Sequence, residues 1–274
     1  LFRSMKCTIG YVGAMNYASL QELQMVNNTL IPSYLDISYA SFASLLPHAG
    51  KELDINLFLA HREVEILQVK ANVELASHTY SHYYCLEEGQ TIEDFENDVR
   101  MAKENAIKQG VNLVSIIFPR NQVNDDYLTI CRKYGFTHFR GMLNSFLYKP
   151  SKTPFRYSPM GALRFLDTYL NISGNNTYTI EDTKSKELID VPGSRFFRPY
   201  SRKLSFLEGL KIRRIKQSMT DAAKNGRIYH LWWHPHNFGT YMQENLSLLE
   251  EICRHFDYLK KTYNLKSSFI SEIR

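Results

Sequence analysis

The chain has 274 residues, 44% of them hydrophobic and 22% charged, with a formal net charge of +5. That apolar content supports a sizeable core, and no run of about eighteen apolar residues marks a transmembrane helix. The basic excess, 33 against 28 acidic residues, is too mild to mark a nucleic-acid-binding protein, which needs a basic patch and a reading element.

In chain order, "KCTIGYVGAM" predicts a buried strand ending at glycine, and "SLQELQMVNN" a short helix. Residues 32 to 51 read as irregular surface. "HREVEILQVKA" has helical spacing, and "NVELAS" reads as a strand that runs into "HTYSHYYC". The stretch "QTIEDFENDVRMAKENAIKQG" predicts a helix, with Thr91 as N-cap, Asp94 completing a capping box and Gly110 as its stop. "NLVSIIFP" predicts a buried strand, "NDDYLTICRKYG" a capped helix and "FTHFRG" another strand. Residues 142 to 200 are rich in turn formers and read as an insertion or long loop region within one domain spanning 1–274. "KLSFLEGLKIRRIKQSMTDAAKNG" predicts a long helix whose basic cluster, Lys211 to Gln217, reads as a solvated face. "RIYHLWWHPHNFG" predicts a strand entering a loop, and a last helix runs from about Glu244 to Tyr263. Alternation of strand and helix argues for a parallel sheet with crossover helices, open or closed into a barrel.

Four cysteines, Cys7, Cys85, Cys131 and Cys253, show no Cys-x-x-Cys spacing and form no disulfide framework in a chain this long. Reduced, buried thiols in a cytoplasmic setting are the expectation, with the cell envelope possible if an upstream segment carries a signal. Four Asn-x-Ser/Thr sequences occur, at near-chance frequency.

Three polar clusters each follow an apolar strand: His78-Thr-Tyr-Ser-His82, Pro119-Arg120-Asn121-Gln122, and His234-Pro-His236-Asn237. In parallel α/β folds the carboxyl ends of the strands converge on one rim, which carries the active site. His78 and His82, four apart, suit two ligands of one zinc-like ion; the alternative is a turn-capping histidine beside an exposed one. His234 and His236 flank a proline that fixes the backbone, and either suits a general acid near neutral pH. Packing against Trp232 or Trp233 is the competing reading. Arg120 asks for a carboxylate at the same rim if it is buried, and surface exposure is the alternative. His230, on the strand before His234, reads as structural, as do His48, His61, His138 and His255.

"SHTYSH", "IIFPRNQ" and "LWWHPHNFG", in this order, resemble the polysaccharide deacetylases, carbohydrate esterase family four, over about residues 6 to 273. The resemblance implies a distorted, TIM-like (β/α) barrel, usually of seven strands. It also implies one divalent metal, most commonly zinc, held by an aspartate and two histidines. On that pattern His78 and His82 are metal ligands, Arg120 matches an arginine that orients a catalytic aspartate, and His234, with His236 as competitor, is the general acid. The implied reaction is hydrolysis of N-acetyl, less often O-acetyl, groups on a polysaccharide or oligosaccharide. The family's early acidic pair has no counterpart before His78, since Asp36 and Asp54 are poor substitutes. Because the chain starts at Leu1 without methionine, the first strand and its acids are expected upstream. A catalytically degenerate, glycan-binding member is the alternative.

Overall fold

A computed structural model describes residues 5–27, 32–40, 58–142, 145, 147–148, 159–185 and 187–274. Five parallel strands form one sheet in sequential order: β1 (Cys7–Tyr11), β2 (Val73–Ser77), β3 (Ser115–Ile117), β4 (His138–Arg140) and β5 (Ile189–Asp190). β1 and β2 pair over five residues, Cys7 with Val73 through Tyr11 with Ser77. Two further parallel strands, β6 (Arg195–Phe196) and β7 (Leu231–Trp232), make a second small sheet. A single bridge, Met142 to Gly193, links the two sheets. Among the described residues the outer edges of β1 and β7 pair with no further strand. The fold is α/β with a parallel sheet, and the described residues do not show a closed barrel.

The helices are α1 (Leu20–Asn27), α2 (His61–Gln68), α3 (Ile92–Lys108), α4 (Asp125–Lys133), α5 (Pro159–Asp167), α6 (Glu208–Asn225) and α7 (Met242–Tyr263). The capping box predicted for α3 forms, because Thr91 accepts from the Asp94 N–H and the Asp94 carboxylate accepts from the Thr91 N–H. Gly110 and Gly135 follow α3 and α4 with φ of 72° and 80°, the left-handed conformation that ends a helix without a Cβ penalty. Residues 142 to 200, expected as loop, contain α5 and supply both β5 and β6. These strands are only two residues long, too short to show the two-residue alternation by which a strand is read from sequence.

The larger core lies between the main sheet and α2, α3 and α4, with Phe95, Val99, Ile116, Phe118, Tyr127 and Phe139 at its centre. A second cluster packs Phe197 and Leu231 against α6 and α7 through Ile212, Ile215, Ile252 and Phe256. On β2 alternation sends Leu75 into the first core and Glu74, Ala76 and then His78 to the opposite face. There Glu74 accepts from the Thr8 and Ser115 hydroxyls, each at 2.6 Å, while Ala76 packs with Ile117, Val191 and Ile270. The same face of β4 carries His138, whose Nε2 lies 2.8 Å from the Ile273 carbonyl oxygen, and Arg140 one step nearer the carboxyl end.

The basic stretch of α6 corrects the reading of a solvated face. Lys211 is 2% and Arg214 3% exposed, each paired with a carboxylate: Lys211 with Glu208, and Arg214 with Asp167 at 2.7 Å. The carboxylates come from the preceding turn and from α5, and pairing is what makes burial of these cations tolerable.

Candidate active site

The first strand-end cluster is a tight loop held from three sides. The Asp98 carboxylate, on the buried face of α3, accepts from the Tyr80 N–H at 2.6 Å, the Ser81 N–H at 2.9 Å and the Ser81 hydroxyl. Gly13 and Ala14, just after β1, donate their N–H groups to the Thr79 and Tyr80 carbonyls at 2.9 Å. The Tyr34 hydroxyl accepts from the Tyr84 N–H at 2.7 Å. So braced, the loop places Thr79 and His82 at φ of 63° and 60°. Arg120 and Asn121 on the neighbouring strand end are also left-handed, at 52° and 55°. Non-glycine residues in this region are strained and persist where their surroundings over-determine them, often at functional sites.

His78 and His82 face one another edge to face, their ring centroids 4.9 Å apart. His78 Nδ1 lies 2.6 Å from the Ile117 carbonyl oxygen, which can only accept, so Nδ1 carries the proton and Nε2 is the basic nitrogen. His82 Nδ1 lies 3.1 Å from the Tyr84 hydroxyl. Burial lowers His78 to a pKa of about 3, helped by His82, Arg140 and His234. Burial, Arg120 and His234 lower His82 to about 4. Both rings are therefore neutral at physiological pH, the protonation state a metal ligand requires.

His234 follows β7 and stands against Trp232 and Phe196, with ring centroids 5.6 and 5.7 Å away, and stacks on His236 at 5.3 Å. Both the functional and the packing reading of this segment thus have a footing: His234 touches the aromatic wall, yet is exposed. Its pKa is lowered by partial burial, then by His236 and Arg140. His234 also acts electrostatically on His78 and His82 and lowers both. His236 is exposed as well. His230 lies deeper, with Nδ1 3.3 Å from the Val191 carbonyl oxygen and a pKa pushed down to about 4 by burial and Arg140.

Arg120 is exposed. It pairs with Glu87 at 3.3 Å and lies over the Tyr84 ring at 4.3 Å. Glu87 stands on the loop after His82, but Arg120 is exposed, not buried, so its pairing is not forced by desolvation. Two residues escaped the sequence reading. Asp98 left a signal, an acid inside the apolar 95–99–102–106 stripe of α3. Arg140 left one too, at alternate spacing from His138 on a buried strand. Arg140 is 8% exposed, and its guanidinium lies 4.4 Å over Trp232 and donates to the Asn121 side-chain oxygen at 2.5 Å.

The donor chemistry fits two ligands of a divalent cation, two neutral imidazoles with Nδ1 engaged. Among the described residues no group of three or more His, Cys, Asp or Glu side chains could hold a metal. Asp36 is exposed and caps a short 3-10 helix by accepting from the Ser38 N–H at 3.0 Å; Asp54 and His48 lie outside the described residues. Cys85, beside the loop, is buried with its thiol raised well above the ordinary range by burial, hence inert. All four cysteines are free thiols.

Fold and site together define an α/β protein with an imidazole-lined rim at the carboxyl ends of parallel strands. No family model matches the chain, and neither does any curated protein. Among solved structures it is similar to a candidate polysaccharide deacetylase from Mycobacterium smegmatis, at 13% identity and a TM-score of 0.52. The match covers 98% of this chain and 89% of that one. At this identity the likeness speaks for the fold. Among the described residues no helix is long and apolar enough to cross a membrane.

Proposed function

We propose that the protein is a metal-dependent hydrolase that removes N-acetyl, or O-acetyl, groups from a polysaccharide or a glycan precursor. The observation that carries this reading is the edge-to-face pair of imidazoles, His78 and His82, each with Nδ1 engaged, and His234 acts electrostatically on both. The likeness to the Mycobacterium smegmatis protein is in keeping with it. His78 and His82 would hold the divalent ion, most commonly zinc, which when bound polarises a carbonyl and acidifies water. The Ile117 carbonyl and the Tyr84 hydroxyl orient the two rings through Nδ1, as outer partners of metal-bound histidines do.

His234, kept neutral by its surroundings, takes the proton of the attacking water and returns it to the leaving amine nitrogen. The products are then acetate and the free amine. His236 is the competing residue for this transfer. Arg120, fixed by Glu87, lines the same mouth. Trp232 and Phe196 offer an aromatic wall suited to a sugar face.

A second reading, a glycan-binding protein without catalysis, draws on the lack of a third protein donor among the described residues. Metal analysis and acetate release from N-acetylglucosamine oligomers, on the full-length natural protein with His78→Ala and His82→Ala controls, separate the two. Activity that survives both substitutions refutes the metal site. Oligomer binding without acetate release favours the second reading.

A further inference from the structure

Four cationic side chains are buried among the described residues: Arg140, Arg195, Lys211 and Arg214. Arg195 and Arg214 share Asp167, and Lys211 pairs with Glu208. Arg140 differs from the other three. It forms no ion pair among the described residues, burial lowers its pKa to about 10, and its Nε has no hydrogen-bond partner there. A buried charge that no acid compensates is costly, so the cation itself calls for an explanation.

Its contacts are two neutral groups on two different strand ends. Nη2 donates to the Asn121 side-chain oxygen at 2.5 Å, in the turn after β3. The guanidinium face lies 4.4 Å over the ring of Trp232, the last residue of β7. A guanidinium is planar and carries N–H donors around its edge. It can stack by its face and donate by its edge at once, which the point-like ammonium of lysine cannot.

Both ends of this tie need holding. Asn121 has φ of 55° and follows Arg120 at 52°, a left-handed pair that stands only where its surroundings fix it. Trp232 lies against Gly193, where a Cβ would come within 2.8 Å of Nε1, and its ring stands 5.6 Å from that of His234. β3 and β7 belong to different sheets, linked by the Met142–Gly193 bridge.

We propose that Arg140 is a positioning residue: its guanidinium ties the Arg120–Asn121 turn to Trp232 and so sets where the Trp232 ring and His234 stand relative to the end of β3. Its effect on catalysis rests on the hydrolase reading above; the tie itself does not.

The test follows the indole N–H signals of the two tryptophans by NMR, in the full chain and in Arg140→Met, Arg140→Lys and Asn121→Gly. Trp233 stacks on Phe238 in the second core and serves as the internal reference. Asn121→Gly keeps a left-handed turn without a Cβ penalty and removes only the acceptor. All three variants shift the Trp232 indole and His234 ring signals and leave the Trp233 signal in place. In an Arg140→Met background Asn121→Gly moves Trp232 no further. Should Arg140→Met fail to fold, the other two variants decide. A Trp232 signal unmoved by Asn121→Gly overturns the tie. So does an Arg140→Lys spectrum like that of wild type, since charge alone is then enough. Acetate release in Arg140→Lys falls about tenfold or more, the scale of a misplaced catalytic group. Release equal to wild type overturns the positioning role even where the signals shift. No release from wild type refutes the hydrolase reading and leaves the NMR test of the tie standing.

Discussion

Replacing Asp98 by alanine tests how the histidine loop is held. The carboxylate takes three hydrogen bonds, from two N–H groups at 2.6 and 2.9 Å and from the Ser81 hydroxyl. A hydrogen bond to a charged group contributes about 1.5–3 kcal/mol, so three contribute roughly 5–9 kcal/mol. Burial opposes these bonds and raises the Asp98 pKa from 3.8 to about 6 in their presence. Asp98→Ala leaves the three donors unpaired, at about 1–3 kcal/mol each, so a loss of roughly 3–9 kcal/mol at pH 7 is expected, measured by urea unfolding. The folded pKa lies above the unfolded one. The carboxyl group's titratable contribution is therefore fully present below about 3.8 and lost as pH rises through about 6. Wild type should accordingly weaken relative to Asp98→Asn by about 3 kcal/mol over that window. Zinc affinity should fall about tenfold or more in Asp98→Ala, because the loop that orients His78 and His82 loosens. A loss under about 1 kcal/mol with unchanged zinc affinity would mean that Gly13, Ala14 and Tyr34 hold the loop without Asp98, and the reasoning fails.

Other outcomes follow from the same physics. Asp167→Ala strands Arg195 and Arg214 and should cost about 3–5 kcal/mol in denaturant unfolding; near-neutral behaviour would show the arginines find another partner. Burial pushes the Asp167 carboxyl upward, but the Tyr148 and Ser173 hydrogen bonds and Arg195 outweigh it and hold the pKa at about 2. About 2 kcal/mol of stability is then present above 3.8 and lost as pH falls through about 2, visible as acid unfolding that Asp167→Asn lacks. His78 and His82 should give flat NMR titration curves from pH 8 to about 5, whereas a midpoint near 6.5 for either contradicts their burial. A Cβ on Gly193 would stand 2.8 Å from Trp232 Nε1, so Gly193→Ala should cost about 1–3 kcal/mol and shift the tryptophan fluorescence; an unchanged spectrum argues against this close approach.

Much of the frame was legible in the chain. The α3 capping box, the helix-ending Gly110 and Gly135, and β1 to β4 with their crossovers follow from local spacing and caps that act within one turn or one strand. The two histidines of the first cluster, His234 of the third and the aromatic residues near them were also visible as strand-end residues. β5 and β6 were not, because two-residue strands have no period to read.

The remaining site residues depended on contacts distant in sequence. Asp98 reaches Tyr80 and Ser81 across 17 or 18 positions, and Arg140 meets Trp232 from another sheet. The basic run at Lys211 to Gln217 is the sharpest case. A charged stretch on a helix is solvated unless distant carboxylates meet it, and Asp167, 47 positions before Arg214, does so. Sequence alone determined where strands end and which imidazoles stand there, since both follow from near-neighbour geometry. Only the tertiary structure decided which of those imidazoles meet, which stay neutral and which cations are buried. Proximity and desolvation arise when distant segments close over the same space.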